Sequence, residues 1–363
     1  MIILGSTGSI GVNALDVCER EHIGIELLAA GSNTELLKKQ IEKSRPKYAC
    51  IEKNDGSIGQ NYMGTQIFYG AEGLSEALSK TTSQKALNAI VGFAGLRSTL
   101  ECIELGKEVA LANKESLVTA GKFIDISKIT PVDSEHFALW YLNRGMGKLN
   151  KMTITASGGA LRDAPLSEIH ASSVTDVLRH PNWTMGRKIT VDSATMVNKL
   201  FEIIEAYWLF GSEISYDAII ETSSTIHAMI EFDDGVTTAQ MSEPDMRLPI
   251  SYALAGKATP DLFKSIDLLR LGALEFRAIE EVRYPVWTLK DELLANPSLA
   301  LVLNAANEIA VAAFLDEKIA FGEIANTIFE ACEKFEWAKT ASIDDVFAMD
   351  NEVRKYARSI IKA

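Results

Sequence analysis

Over residues 1 to about 131, short apolar runs alternate with longer amphipathic stretches. MIIL at 1–4, IELLAA at 25–30, YACI at 48–51, ALNAIVG at 86–92 and EVALAN at 108–113 are too short for helices. They read as buried strands separated by helices, the βαβ rhythm of a mostly parallel sheet. At 129–142 the run ITPVDSEHFALWYL turns from a Pro-containing extended entry to an amphipathic stretch, and KMTITASGG at 151–159 opens a new strand. Further strands are expected at DAIIETSSTIHAMIEF and TTAQM, behind the helix NKLFEIIEAYWLF, so residues 132–256 read as α+β. A connection with Pro260 and Pro285 spans 257–288. From 289 to 363 the pattern is helical, as in LALVLNAANEIAVAAFLDEKI and EIANTIFEACEKFEW, and predicts a terminal helical bundle.

The 363 residues allow about two to three domains. With 47% hydrophobic and 23% charged residues, the chain carries enough apolar material for packed cores. A net charge of −13, with no basic stripe, disfavours nucleic acid as a partner but leaves small phosphorylated ligands open. Cys18, Cys50, Cys102 and Cys332 are far apart and suit a reduced cytoplasm. Neither a secretory leader nor a membrane span is expected.

Gly5-Ser6-Thr7-Gly8-Ser9-Ile10-Gly11 follows the first strand and precedes the helical stretch VNALDVCER. Glycines there let the backbone approach a pyrophosphate, while a helix N-terminus offers N–H groups and partial positive charge. The spacing is GxxGxxG, so a ligand-free strand-to-helix turn stays open beside the dinucleotide reading. After the second strand comes Gly31-Ser32-Asn33, with no acid for a ribose 2′-hydroxyl, which tilts the choice toward NADP.

Asp133-Ser134-Glu135 follows a Pro-terminated turn. In an extended segment both acids share a face and could hold Mg²⁺ or Mn²⁺, although for the pair taken alone a solvated turn is the favoured reading. The stretch from His180 through Trp183 and Met185 to Gly186 could form a lid that excludes water, or place a Trp in the core. Further on, Asn198 and Glu202 are four apart and Lys199 and Glu202 three apart. On a helix, amide, ammonium and carboxylate then face one cavity. With Ser193 they offer donors for a phosphate monoester and a third acid for a metal; an exposed Lys–Glu pair is the plainer alternative.

Together, GSTGSIG, LANKESLVTAG, PVDSEHFALW, TASGGALRD, HPNWTMGRKITVDSATMVNK and PDMRLPISYAL resemble the 1-deoxy-D-xylulose 5-phosphate reductoisomerase family, in order and through all regions. The resemblance implies an N-terminal Rossmann-like NADPH-binding domain at 1–131, a catalytic α+β domain at 132–256, a linker at 257–288 and a C-terminal helical domain at 289–363. It implies a homodimeric, cytoplasmic oxidoreductase of isoprenoid precursor synthesis that uses NADPH with Mg²⁺ or Mn²⁺, Co²⁺ being a further alternative.

By position, Asp133, Glu135 and Glu202 correspond to metal ligands. Lys114, Ser134, Glu135, Ser157, His180, Ser193, Asn198, Lys199 and Glu202 correspond to substrate contacts, with Lys114, Glu135, His180 and Glu202 catalytic. Thr7, Gly8, Ser9, Ile10, Gly31, Ser32, Asn33, Asn113, Glu115 and Gly186 correspond to cofactor contacts, and Trp183 and Met185 to the lid. The chain departs from the family in reading Ser32 where Lys or Arg is frequent, Leu200-Phe201 within the usual NKGLE, and Thr222-Ser223-Ser224 for HPQS, which leaves the roles of Ser224 and His227 open. A semialdehyde-type dehydrogenase would need a catalytic cysteine, and a nucleotide-sensing protein would have no use for three convergent acids and a lid.

Overall fold

The computed structural model describes residues 1–54, 56–143, 147–179 and 186–361. The chain forms two compact units, one of residues 1–116, 125–137 and 245–264, the other of 117–124, 138–244 and 265–363.

The first unit is built on an eight-stranded sheet of β1 (Ile2–Leu4), β2 (Leu27–Ala30), β3 (Tyr48–Ile51), β4 (Asn61–Tyr62), β5 (Thr65–Tyr69), β6 (Lys85–Asn88), β7 (Glu108–Leu111) and β8 (Ile129–Pro131), in the order β4-β5-β3-β2-β1-β6-β7-β8. All neighbours are parallel except β4 and β5. Strands covered on both faces need no alternation, and Ile2, Ile3, Leu4, Leu27 and Leu28 are wholly buried. Strand order reverses beside β1, which pairs with both β2 and β6. A crevice opens beyond the carboxyl ends of parallel strands at such a point, where the Gly5–Gly11 loop lies.

Two features of this unit were not read from the sequence. The β4–β5 hairpin turns at Met63 and Gly64, both with positive φ (53° and 91°), the backbone a two-residue hairpin turn requires. Residues 245–264, assigned to the middle region and its connection by pattern, return to this unit. Their helix Arg247–Ala255 places Ile250, Ala253 and Leu254 in the same core as Ile3 and Ala14. Arg247 meets Asp16 at 3.3 Å, and Lys85 donates to the Ala253 carbonyl at 2.9 Å.

The second unit carries β9 (Leu149–Ala156), β10 (Ser215–Glu221), β11 (Ile226–Phe232), β12 (Thr237–Met241) and β13 (Phe276–Arg277), ordered β12-β11-β9-β10-β13. The pair β9 and β10 is parallel and the other pairings are antiparallel, so the central strand pair needs a crossover, which the helix Val197–Phe210 provides. The residues between 257 and 288 are not simply a linker, since β13 closes one sheet edge. Helices Leu299–Leu315, Glu323–Lys334 and Ile343–Ile361 pack on one another. They belong to the same unit as the sheet because the first of them also packs on the helix Arg187–Thr195.

At the amino end of the first sheet, Glu26 accepts from Thr82 N at 3.0 Å, Ser83 N at 2.7 Å and Ser83 Oγ at 2.6 Å, with Lys47 at 3.3 Å. Burial alone would raise its pKa, but the donors from Ser83, Thr82 and Lys47 outweigh it and bring the carboxyl from 4.5 down to about 2. The folded pKa is the lower one, so this acid stabilises the fold above 4.5, and the contribution disappears as pH falls toward 2. Urea unfolding of the parent and Glu26→Gln should therefore differ at neutral pH and converge across that window. A gap that stays constant with pH would show that the ionised acid is not the source.

Candidate active site

The three glycines of the N-terminal loop have separate reasons. Gly5 has φ +81°, and a Cβ there would lie 2.5 Å from the Ala89 carbonyl oxygen, so neither conformation nor space admits a side chain. A Cβ on Gly11 would lie 2.3 Å from the Gly5 oxygen, because the helix Ser9–Arg20 starts against the strand end. Gly8 has ordinary φ (−78°), and its nearest neighbour would stand 3.4 Å from a Cβ. The fold tolerates a side chain at Gly8; what its absence preserves is open space outside the helix N-terminus. That helix has no acid in its first turn and no side-chain cap, which leaves its N–H groups to an anion. Thr7, Ser9 and Ile10 line the same turn, half-buried or exposed.

At the end of β2, Gly31, Ser32 and Asn33 are exposed. Asn33 caps the helix Thr34–Ser44, its Oδ1 accepting from Leu36 N at 3.1 Å. The Glu52 carboxylate lies 3.8 Å from where a Gly31 Cβ would be. An acid therefore does stand beside Gly31, contributed by the segment after β3, and the preference for NADP does not follow from Gly31-Ser32-Asn33 alone.

Asn113 is spent on the protein through its side chain. Its Nδ2 donates to the Ile90 carbonyl at 2.7 Å, the Gly92 carbonyl at 2.8 Å and Glu115 at 3.0 Å, and its Oδ1 accepts from Ser116. This holds the turn after β6 and orients the buried Glu115 carboxylate. Any cofactor contact by Asn113 then falls to its main chain.

The chain leaves extended conformation at Pro131, so Asp133 and Glu135 do not share a face by strand alternation as expected. Asp133 instead caps the helix Ser134–Leu142: its carbonyl accepts from Phe137 N at 2.8 Å and its Oδ1 from Glu135 N at 3.2 Å. Lys114 donates to Asp133 Oδ2 at 2.6 Å, and His136 Nδ1 lies 3.2 Å from Oδ1. Ser134 Oγ bonds Glu135. The wholly buried His136 was overlooked in the sequence, although its place three residues after Asp133 at a helix start could have flagged it.

In the second unit, Ser157 follows β9 and its Oγ accepts from Gly159 N at 3.1 Å. Ser193 lies near the end of the helix Arg187–Thr195, which meets the helix Val197–Phe210 through Met196 at φ +70°. Bending there turns the first face of the second helix inward. Asn198 and Lys199 both bond Glu202, and all three are buried, Glu202 to 1% exposure. The i,i+3 and i,i+4 spacing thus forms an internal cluster and not an exposed pair. Gly186 precedes the helix that carries Ser193, with open space around it. His180, Trp183 and Met185 lie outside the described residues. Ser224 and His227 are buried at the β10–β11 turn, where Glu221 accepts from Ser223, Thr225 and Ile226 N–H groups at 2.9, 2.7 and 3.2 Å. The departure from HPQS is thus a turn capped by its own acid.

Comparison with known proteins agrees over the whole chain. Residues 1–121 match the family profile described as 1-deoxy-D-xylulose 5-phosphate reductoisomerase, and 129–210 and 241–356 match its two C-terminal domain profiles. A protein of that name from Nautilia profundicola is 50% identical, with 99% of each chain covered, and one from Wolinella succinogenes is also 50% identical, covering 99% of this chain and 100% of its own. A solved reductoisomerase in complex with NADPH, fosmidomycin and magnesium superposes with a TM-score of 0.90 at 33% identity, covering 99% of this chain and 98% of its own. That of Zymomonas mobilis with NADPH gives 0.88 at 36%, covering 100% and 98%. The chain belongs to the 1-deoxy-D-xylulose 5-phosphate reductoisomerase family.

Proposed function

We propose that this chain rearranges 1-deoxy-D-xylulose 5-phosphate and reduces the product with NADPH to 2-C-methyl-D-erythritol 4-phosphate, a precursor step toward isoprenoids, with a divalent cation. Besides family membership, the observation that carries the reading is the buried Asn198–Lys199–Glu202 face, which brings an acid together with an amide and an ammonium. In the reaction the C3–C4 bond breaks, a C2–C4 bond forms, and the resulting aldehyde takes a hydride and a proton.

Asp133, Glu135 and Glu202 offer only hard carboxylate oxygens, which suit Mg²⁺ or Mn²⁺. The ammonium groups seated on Asp133 and Glu202 mark both acids as wanting positive charge. When bound, the cation supplies Lewis-acid polarisation of the substrate carbonyl and NADPH supplies the hydride. Lys114 moves the substrate's hydroxyl protons in this reading; its burial at 5% exposure and its hydrogen bond to Asp133 at 2.6 Å, beside a proposed ligand of the cation, support the role. Lys199, Asn198, Ser193 and Ser157 hold the phosphate by charge-assisted bonds. His180 adds a substrate contact, and Trp183 and Met185 cover the substrate. Thr7, Gly8, Ser9, Ile10, Gly31, Ser32, Asn33, Asn113, Glu115 and Gly186 receive the cofactor.

The protein works as a cytoplasmic homodimer in this reading. Four buried, unpaired cysteines and the lack of any membrane-spanning helix among the described residues are in keeping with the location.

NADPH consumption should require deoxyxylulose phosphate together with Mg²⁺ or Mn²⁺; turnover without added metal after chelation would refute the proposal. Glu202→Gln should lower kcat/KM by roughly a hundredfold or more and weaken Mn²⁺ binding in calorimetry, with NADPH affinity retained. Lys199→Ala should raise the KM for the sugar phosphate by about ten- to a hundredfold and leave the KM for NADPH unchanged, a charged hydrogen bond being worth roughly 1.5–3 kcal/mol. Sedimentation equilibrium should return twice the chain mass, and a monomer would remove the dimer from the account.

A further inference from the structure

The loop that carries Ser157 has its main-chain carbonyls taken by side chains, Arg162 close by and Arg283 and Tyr284 remote in sequence. Arg162 Nη1 donates to the Ser157 carbonyl at 2.8 Å and to the Thr222 carbonyl at 3.2 Å. Tyr284, 1% exposed, donates its phenol to the Gly158 carbonyl at 2.8 Å. Arg283 Nη1 donates to the carbonyls of Leu161 at 2.9 Å and Ala164 at 2.7 Å. These side chains line a cavity of about 410 Å³ with Arg277, Asp163 and Glu280. Its guanidinium groups are already engaged, Arg277 with Asp163 at 2.6 Å and Glu275 at 2.9 Å. The cavity is therefore the back of the loop and not an anion site of its own.

Carbonyls drawn to the back force the rest of the loop forward. Gly158 and Gly159 have φ +84° and +68°; a Cβ on the first would meet the Arg162 stem at 2.7 Å, and on the second the Ala194 Cα at 2.6 Å and the Ser193 carbonyl at 2.8 Å. The loop is thus pressed directly onto the helix end that bears Ser193. Within it, the Ser157 Oγ accepts from Gly159 N at 3.1 Å, which ties the side chain to the loop's own backbone.

We infer that Arg162 and Tyr284 are positioning residues for the sugar phosphate, holding Ser157 against Ser193 through the carbonyls of Ser157 and Gly158. Neither needs to touch the substrate. An amide carbonyl that loses a buried partner reorients or draws in water, and a hydroxyl displaced by a fraction of an ångström no longer meets its oxygen. The loss falls on binding common to ground and transition state, which raises KM and spares kcat.

This inference rests on the assignment of Ser157 to the substrate, and the test separates the two. Ser157→Ala, Tyr284→Phe, Arg162→Met and the double variant Ser157→Ala/Tyr284→Phe are compared in the full-length enzyme with NADPH and Mg²⁺. Arg162→Met keeps the stem over Gly158 and removes the donors. Each single variant should raise the KM for deoxyxylulose phosphate about tenfold, with kcat within about twofold and the KM for NADPH unchanged; tenfold corresponds to about 1.4 kcal/mol. The double variant should be no worse than Ser157→Ala. If Ser157→Ala has no effect, the substrate assignment fails and the inference with it. If Ser157→Ala raises KM while Tyr284→Phe and Arg162→Met do not, or if the double variant shows the full product of both effects, positioning is overturned and the substrate assignment stands. A rise in both KM values in step with a loss of folded protein would assign the pair a purely structural role and would also overturn it.

Discussion

A carboxylate kept charged away from water must have positive charge or donors within reach, and one buried acid–lysine pair in each unit obeys that demand. Asp133 meets the Lys114 ammonium at 2.6 Å, with side-chain exposures of 12% and 7%. Glu202, at 2%, meets Lys199 and Asn198. Both acids are hydrogen-bonded by groups that are themselves buried, and truncating one partner would strand the other. An ammonium carries three donors, so bonding to an acid does not exhaust Lys199.

Backbone geometry then decides what these charges can face. Gly5 and Gly11 are required because the helix Ser9–Arg20 starts in contact with the end of β1, whereas a Cβ at Gly8 would meet nothing nearer than the Gly5 oxygen at 3.4 Å. Gly158 and Gly159 repeat that logic in the second unit. Met196 adopts φ +70° without being glycine, a conformation that costs roughly a kcal/mol or more. The bend it makes separates two helices whose facing ends carry Ser193 on one side and Asn198 and Lys199 on the other.

Much of this was legible in the chain. Short apolar runs marked the strands of the first sheet because both faces are covered, and the spacing of Asn198, Lys199 and Glu202 specified one helix face without any structure. What stayed hidden had physical causes. The β4–β5 hairpin turns on Met63-Gly64, where a non-glycine with positive φ carries little signal. Helix Arg247–Ala255 looked like part of its sequence neighbourhood because amphipathic pattern names a buried face but not the partner that covers it. Asp133 and Glu135 were placed on a strand because Pro131 suggested extension, yet Asp133 is itself a helix-capping residue type. Asn113 matched a cofactor contact by position, while its amide is committed to Ile90, Gly92 and Glu115, which only distances reveal.

The C-terminal helices show the same limit. Their apolar pattern predicts a bundle and gives no reason for one in this enzyme family. Asp192, 1% exposed, is held by Lys188 at 2.8 Å and by Asn307 of the helix Leu299–Leu315 at 2.8 Å. Ser193 is the next residue, so the rotation of its helix is fixed from a segment more than a hundred residues away. A buried amide on a buried acid tolerates little sliding, because a shift takes the Asn307 donor from Asp192 and leaves that amide dry. The terminal helices therefore act on the site through register, supplying rigidity to a helix end that must meet the Ser157 loop at backbone contact.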